Sequence, residues 1–285
     1  MTGQTALWRW YRGRGRVYPW RGVRDPYRVL VSEVMLQQTQ AVRVAPAYRA
    51  FVRTFPTVRA LAAATRAEVL RAWAGLGYNR RAVALHRTAR TVVEDHGGTL
   101  PSDLGELRRL PGIGPYTAAA VASIGFGVPV PAIDTNAGRV VRRAVLGRDD
   151  ARGAEVEATA GRWLDRRDPG GWNQAVMDLG REVCRPVPRC TVCPLARSCA
   201  FRRAGAPLAP QRRRQPAFEG SSRQLRGAIV RVLRDRGSAM LGALAGATGR
   251  PLEEVVLAVE RLAADGVVRP GPAAVAGSPR GRVRL

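Results

Sequence analysis

The chain has 285 residues, enough for two or three small domains each with its own core, and 46% of them are hydrophobic, as a globular protein needs. Its 47 basic against 22 acidic residues give a net charge of +25, so the natural partner is a polyanion such as nucleic acid; a generally solvated basic surface and an anionic membrane are the competing readings. Every basic residue is arginine, which removes mechanisms that need a side-chain amine, such as a Schiff base.

Residues 1–10 show no positive segment followed by an apolar run, and no stretch reaches the ~20 apolar residues of a membrane span. The expectation is a cytoplasmic protein, free of membrane, whose cysteines stay reduced. Asp25-Pro26 reads as the N-cap and first turn of a helix reaching about Gln40. Glu33 stands inside it among largely apolar neighbours. A carboxyl there is expected to be partly buried, which raises its pKa and keeps it protonated as a general acid; an exposed helical glutamate is the simpler alternative. Glu68–Gly75 and Arg80–His96 continue in helical style, with His86 and His96 read as surface or capping residues.

The run Leu110-Pro111-Gly112-Ile113-Gly114-Pro115 lies between helical neighbours. Gly112 and Gly114 let the backbone turn tightly and bring bare amides close to a phosphate, at the start of a helix near Pro115. By itself, Gly-x-Gly between helices is only a turn. Pro131–Asn136 ends an irregular stretch and opens an arginine-rich helix from about Ala137 to Leu146. Asp134 is its N-cap, and the amide hydrogen bonds that cap a helix also favour a charged carboxylate.

Cys184, Cys190, Cys193 and Cys199 follow with the spacing C-x5-C-x2-C-x5-C. Four thiolates that close, in a reduced compartment, suit a zinc ion or a [4Fe–4S] cluster. Residues 203–220, rich in Pro, Ala and Arg, read as a linker. Beyond it, Arg223–Arg234, Met240–Ala247 and Pro251–Ala264 have helical periodicity, and Gly266–Arg269 can pair with Arg280–Leu285 as a β-ribbon. That order resembles a winged helix-turn-helix at 221–285.

Four segments together resemble one family. The hairpin with its flanking Leu110, Pro111, Tyr116 and Thr117 is similar to that of the endonuclease III and MutY superfamily, which grips the DNA backbone without reading sequence. Ser32-Glu33-Val34-Met35-Leu36-Gln37-Gln38-Thr39-Gln40 closely resembles the MutY segment that carries the catalytic acid; thymine glycosylases and endonuclease III differ after the Leu. Ile133-Asp134-Thr135-Asn136 is similar to the family's second catalytic motif, with Thr where Gly is common. Leu76-Gly77-Tyr78-Asn79-Arg80-Arg81 resembles the loop that wedges into the duplex, with Asn79 where many members have a second aromatic.

The resemblance covers about residues 5–202. It implies an all-α, two-lobed helix-hairpin-helix glycosylase fold with an iron–sulfur cluster loop, to which the winged-helix-like module is appended. Domain 1–202 would comprise a hairpin lobe at 25–134 and a cluster lobe of 1–24 plus 135–202. Glu33 and Asp134 would be the catalytic pair, with Tyr116 and Asn136 positioning. Gln37, Gln38, Thr39, Leu76, Tyr78, Asn79, Gly112 and Gly114 would meet DNA.

The four cysteines would hold a [4Fe–4S] cluster, although the first gap is five residues where the family has six. The implied partner is double-stranded DNA containing adenine mispaired with 8-oxoguanine or guanine, bound by a monomer associated with the nucleoid. A Nudix-like domain for 8-oxoguanine, as longer relatives carry, does not fit the residues after the linker. The competing functions are a thymine glycosylase acting on T:G mismatches, a bifunctional lyase, which lysine's absence disfavours, and a non-catalytic DNA-binding regulator.

Overall fold

The computed structural model describes residues 3–14, 18–208 and 217–285, so 209–216 of the expected linker lie outside the described residues. In chain order the helices are α1 (Gly3–Arg12), α2 (Pro26–Leu36), α3 (Ala41–Thr54), α4 (Val58–Ala63), α5 (Arg66–Ala72), α6 (Arg80–Asp95), α7 (Leu104–Arg109), α8 (Pro115–Ala120), α9 (Thr135–Val140), α10 (Gly153–Trp163), α11 (Pro169–Glu182) and α12 (Ala200–Ala204). The C-terminal segment adds α13 (Ser222–Arg236), strand β1 (Ser238–Met240), α14 (Leu241–Thr248), α15 (Leu252–Ala264), β2 (Arg269–Pro270), α16 (Pro272–Val275) and β3 (Arg282–Arg284). Among the described residues no helix is long and apolar enough to cross a membrane.

Local chemistry sets most helix starts. Asp25 accepts from the Arg28 amide at 2.8 Å while Pro26 fills the first turn of α2. Thr65 and Glu68 form a reciprocal capping box at α5, and Asp103, Asp134 and Asp168 cap α7, α9 and α11. Helix α2 stops at Leu36, short of the expected Gln40, because Gln38 adopts the left-handed φ of 55°. The helix expected at 137–146 begins at Thr135 and passes after Val140 into a π-helical turn, Val141–Leu146, that Gly147 ends. Helix α8 likewise runs into a π-helical turn at Val121–Gly125.

The chain divides by packing into two compact units: Met1–Ala41 with Leu100–Arg213, and Val42–Thr99 with Arg214–Leu285. In the first, α2 packs on α8 and the π turn that follows it, and α11 packs on α9. Tyr27 and every residue from Val29 to Met35 are buried, and at ~1.5–3 kcal/mol per large apolar side chain their burial anchors this unit. Gly180 permits the closest approach of α11 to α9, since a Cβ there would lie 2.5 Å from the Asn136 carbonyl oxygen.

In the second unit α6 packs on α4 and α5, and α13 lies against α5. The segment from 221 has the winged-helix order, with its antiparallel sheet arranged β1-β3-β2. The expected ribbon pairs Arg269 with Arg284, and β1 adds a third strand not legible in the sequence. His96 closes α6 as expected, whereas His86 is 9% exposed and belongs to the core, because α4 covers its face of α6.

Candidate active site

Glu33 lies in the middle of α2 and is 5% exposed. Burial pushes its carboxyl above the ordinary glutamate range, with Asp134 and Asp178 adding to the rise and Tyr116 and Arg21 opposing it. The Tyr116 hydroxyl, on the first turn of α8, donates to Glu33 Oε2 at 2.6 Å. Burial and the neighbouring Glu33 hold the Tyr116 phenol well above its usual value, so it stays a proton donor in this pair.

Asp134 presents its carboxylate at the start of α9. Its Oδ1 accepts from the Ala137 amide at 2.6 Å and its Oδ2 from Asn136 Nδ2 at 3.1 Å. The segment leading to it is tied down by a residue that the sequence motifs do not include. Asn173 on α11 accepts from the Ala132 amide at 3.0 Å and donates to the Val130 carbonyl and to Ser123 Oγ, both at 2.9 Å. The signal for it is an asparagine inside an apolar helical pattern, because a buried amide must find partners.

Arg21 and Asp178 likewise fall outside the motifs. They form a nearly buried ion pair, with side chains 9% and 12% exposed, and both act electrostatically on Glu33. Arg181 reinforces Asp178 at 3.0 Å, and burial still raises the Asp178 pKa. Together with Trp8, Tyr11 and Tyr18 these groups line a pocket of mixed aromatic and charged character. Their positions, 21 and 178, are too far apart in sequence to read as one site.

Of the expected DNA-contacting residues in the first unit, Gln37 donates to Thr117 Oγ1 at 3.3 Å, and Gln38 is exposed in its left-handed turn beside Thr39. Gly112 has φ 75°, and Gly114 caps α8 with open space where a Cβ would stand; both are exposed. Leu76, Tyr78 and Asn79 belong to the second unit. Leu76 is 4% exposed and part of its core, whereas Tyr78 is 39% exposed with a left-handed φ of 48°. Arg81 shapes this loop by donating to the Gly77 carbonyl at 3.2 Å while lying over the Trp73 and Tyr78 rings, and its burial pulls its pKa down to about 10. Asn79 precedes α6 without capping it.

The four cysteines line one pocket with Val140, Leu179, Leu195, Phe201 and Arg143. Among the described residues no three potential ligands meet closely enough to share a single ion; the thiols stand around the pocket instead. Burial pushes the Cys193 thiol up to about 11 and raises that of Cys184, which the adjacent Arg143 and Arg139 counteract. The five-residue first gap folds around Arg143, whose guanidinium donates to the Arg185 carbonyl at 2.7 Å and the Pro186 carbonyl at 3.1 Å, and pairs with Asp149 at 2.6 Å. Arg139 joins this loop to the aspartate segment, donating at 2.6 Å to the Cys184 carbonyl and at 2.8 Å to Asn136 Oδ1. An apolar pocket ringed by four thiols and backed by arginine fits an anionic thiolate-bound cluster.

The family described as "HhH-GPD superfamily base excision DNA repair protein" matches residues 31–166, a span that contains Glu33, Tyr116, Asp134 and Asn136. The adenine DNA glycosylase of Mycobacterium tuberculosis (strain ATCC 25618 / H37Rv) is 46% identical over 239 residues, spanning 81% of this chain and 78% of its own. The human adenine DNA glycosylase is 40% identical over 211 residues, spanning 69% of this chain and 39% of its own. Among solved structures, a thermostable thymine-DNA glycosylase superposes with TM-score 0.65 at 27% identity, covering 70% of this chain and 94% of that one. A trapped endonuclease III–DNA covalent intermediate gives TM-score 0.60 at 25% identity, covering 72% and 99%. Fold and site thus define a base excision DNA repair protein of the HhH-GPD superfamily. Within that superfamily the chain belongs to the adenine DNA glycosylase family.

Proposed function

We propose that this protein is a monofunctional DNA glycosylase that excises adenine mispaired with 8-oxoguanine, and next with guanine, in duplex DNA. The observation that carries the reading is the buried Glu33 carboxyl, raised in pKa and bonded to the Tyr116 hydroxyl, in a site that also holds Asp134. A base inside a duplex cannot present N7 and C1′ to side chains, so the adenine is first extruded, which costs a few kcal/mol and less at a mispair. Glu33 then gives its proton to N7, making adenine a leaving group. The Asp134 carboxylate, oriented by Ala137 and Asn136, stabilises or covalently traps the oxocarbenium-like sugar before water completes hydrolysis. Two carboxyls in unlike environments thereby divide acid and electrostatic duties.

The exposed amides at Gly112 and Gly114 hold backbone phosphate, Gln37, Gln38 and Thr39 contact the strand near the extruded base, and Tyr78 enters the duplex with Asn79 beside it, over a core that Leu76 completes. Cys184, Cys190, Cys193 and Cys199 hold the [4Fe–4S] cluster, which when bound braces the loop between Cys184 and Cys199 without taking part in the chemistry. The hairpin lobe at 25–134 and the cluster lobe of 1–24 plus 135–202 serve as the functional lobes of a monomer in the nucleoid.

The test is to incubate the protein with an end-labelled duplex containing adenine opposite 8-oxoguanine, assay free adenine, then compare strands before and after alkali with borohydride present. Free adenine should appear, strand breaks should need alkali, and no covalent adduct should be trapped, because an imine requires an amine and position 116 is tyrosine in a lysine-free chain. Release of thymine from a T:G duplex instead would establish the thymine-glycosylase alternative.

A further inference from the structure

Three arginines of the second unit gather where the winged-helix segment meets the helices beneath it. Arg66 opens α5, Arg87 is exposed along α6, and Arg269 is exposed on β2. The Arg87 guanidinium lies over the turn that leads into β2: a Cβ added to Gly266 would come within 2.8 Å of Arg87 Nη2 and 3.5 Å of Val83 Cγ1. Arg269 stands directly opposite Arg284 across the β2–β3 pair, and Arg282 shares the exposed face of β3 with Arg284.

Like charges opposed across two strands repel. Arg66 is also drawn below its ordinary pKa, first by burial and then by Arg269 and Arg87. Among the described residues none of Arg66, Arg87, Arg269, Arg282 and Arg284 is in an ion pair. Burial pulls the neighbouring His86 below its ordinary pKa, and hydrogen bonds to the backbone of Ala62 and Ala64 oppose the fall while Arg90 and Arg66 add to it. Cationic groups crowded together with no internal counter-ion are stabilised by an external polyanion.

The helix in the groove-reading position of a winged helix-turn-helix, α15, has the opposite character. It exposes Glu253, Leu257 and Glu260, a face that phosphates repel. The sheet side of the segment, continuous with α5 and α6, is therefore the side suited to nucleic acid.

We propose that Arg66, Arg87 and Arg269, extended by Arg282 and Arg284, form a seam that binds backbone phosphates of duplex DNA, built jointly by the glycosylase helices and the C-terminal winged-helix segment. The inference rests on the reading of the chain as a protein that acts on DNA. It assigns the C-terminal segment a sequence-independent grip, not a role in reading the base opposite adenine.

The experiment uses the full chain carrying Arg66→Gln, Arg87→Gln and Arg269→Gln together, titrated with undamaged duplex over a salt series by fluorescence anisotropy. Every phosphate that the protein no longer neutralises should flatten the plot of log K against log salt by about 0.9, so the slope should fall in magnitude by about two to three. Lysine at the same three positions should restore the slope, since the charge returns. A control with Arg231→Gln, Arg234→Gln and Arg236→Gln, matched in net charge, should leave the slope near that of the parent. A triple variant whose slope equals that of the parent or of the control overturns the seam. Should the triple variant lose its cooperative melt, Arg87→Gln and Arg269→Gln are read singly, each expected to flatten the slope by about one and each overturning the proposal if it does not. A parent protein that releases no adenine refutes the glycosylase reading, while the salt slopes still decide the seam.

Discussion

At the scale of single residues, Glu33 joins activity to instability. Its pKa is raised by burial, so the folded protein keeps this proton at pH values where the unfolded chain has released it. The destabilisation is fully present above the folded pKa and vanishes as pH falls below the ordinary glutamate range. Glu33→Gln, which cannot ionise, should therefore raise Tm at about pH 7.5 and change it little at about pH 4, as thermal melts would show. The same substitution should slow single-turnover excision by at least about 10²-fold, the low end of what general acid catalysis contributes. In the parent the rate should decline as pH rises through the raised pKa, and the variant should lack that limb. Excision preserved within a few-fold would reduce Glu33 to a helix residue.

At the scale of elements, two polar side chains hold loops that no hydrophobic pattern specifies. Asn173 fixes the segment before Asp134, so Asn173→Ala leaves the Ala132 amide and the Val130 carbonyl without their partner. At about 1–3 kcal/mol for each orphaned group, Tm should drop by several degrees and excision should slow as Asp134 loses its support. An unchanged Tm would show that water replaces the amide.

Arg143 has the corresponding role in the cysteine loop, pairing with Asp149 where the side chains are 4% and 8% exposed. Removing one member of such a pair costs about 3–5 kcal/mol, and Arg143→Met also frees the Arg185 and Pro186 carbonyls. The parent protein should be brown with about four irons per chain by elemental analysis, and the variant should carry markedly less. Stoichiometric zinc in the parent would refute the iron–sulfur assignment.

For the molecule as a whole, the net charge of +25 should dominate its affinity for duplex DNA. Arginine contacts release counter-ions from DNA, so binding to undamaged duplex should weaken steeply with salt, at about 0.9 log units per phosphate for each log unit of salt. The ratio of affinities for mispaired and undamaged duplex should change far less, because base contacts release few ions. Anisotropy titrations at several salt concentrations would measure both, and salt-insensitive binding would remove arginine–phosphate contact as the basis of affinity.

The sequence by itself determined the features carried by contiguous residues: the helical class, the capped starts at Asp25 and Asp134, the hairpin glycines, the four-cysteine spacing and the motif around Glu33. Each is written in neighbouring letters because helix caps, tight turns and short-range ligand sets depend on residues within a few positions of one another. The tertiary structure alone decided that Arg21 and Asp178 join the site of Glu33, that Leu76 is core while Tyr78 is exposed, and that Arg143 fills the shortened cysteine loop. These are contacts between residues far apart in the chain or choices between burial and exposure. Such outcomes depend on which helix faces meet, and a periodic pattern states only that a face is apolar, not what it will pack against.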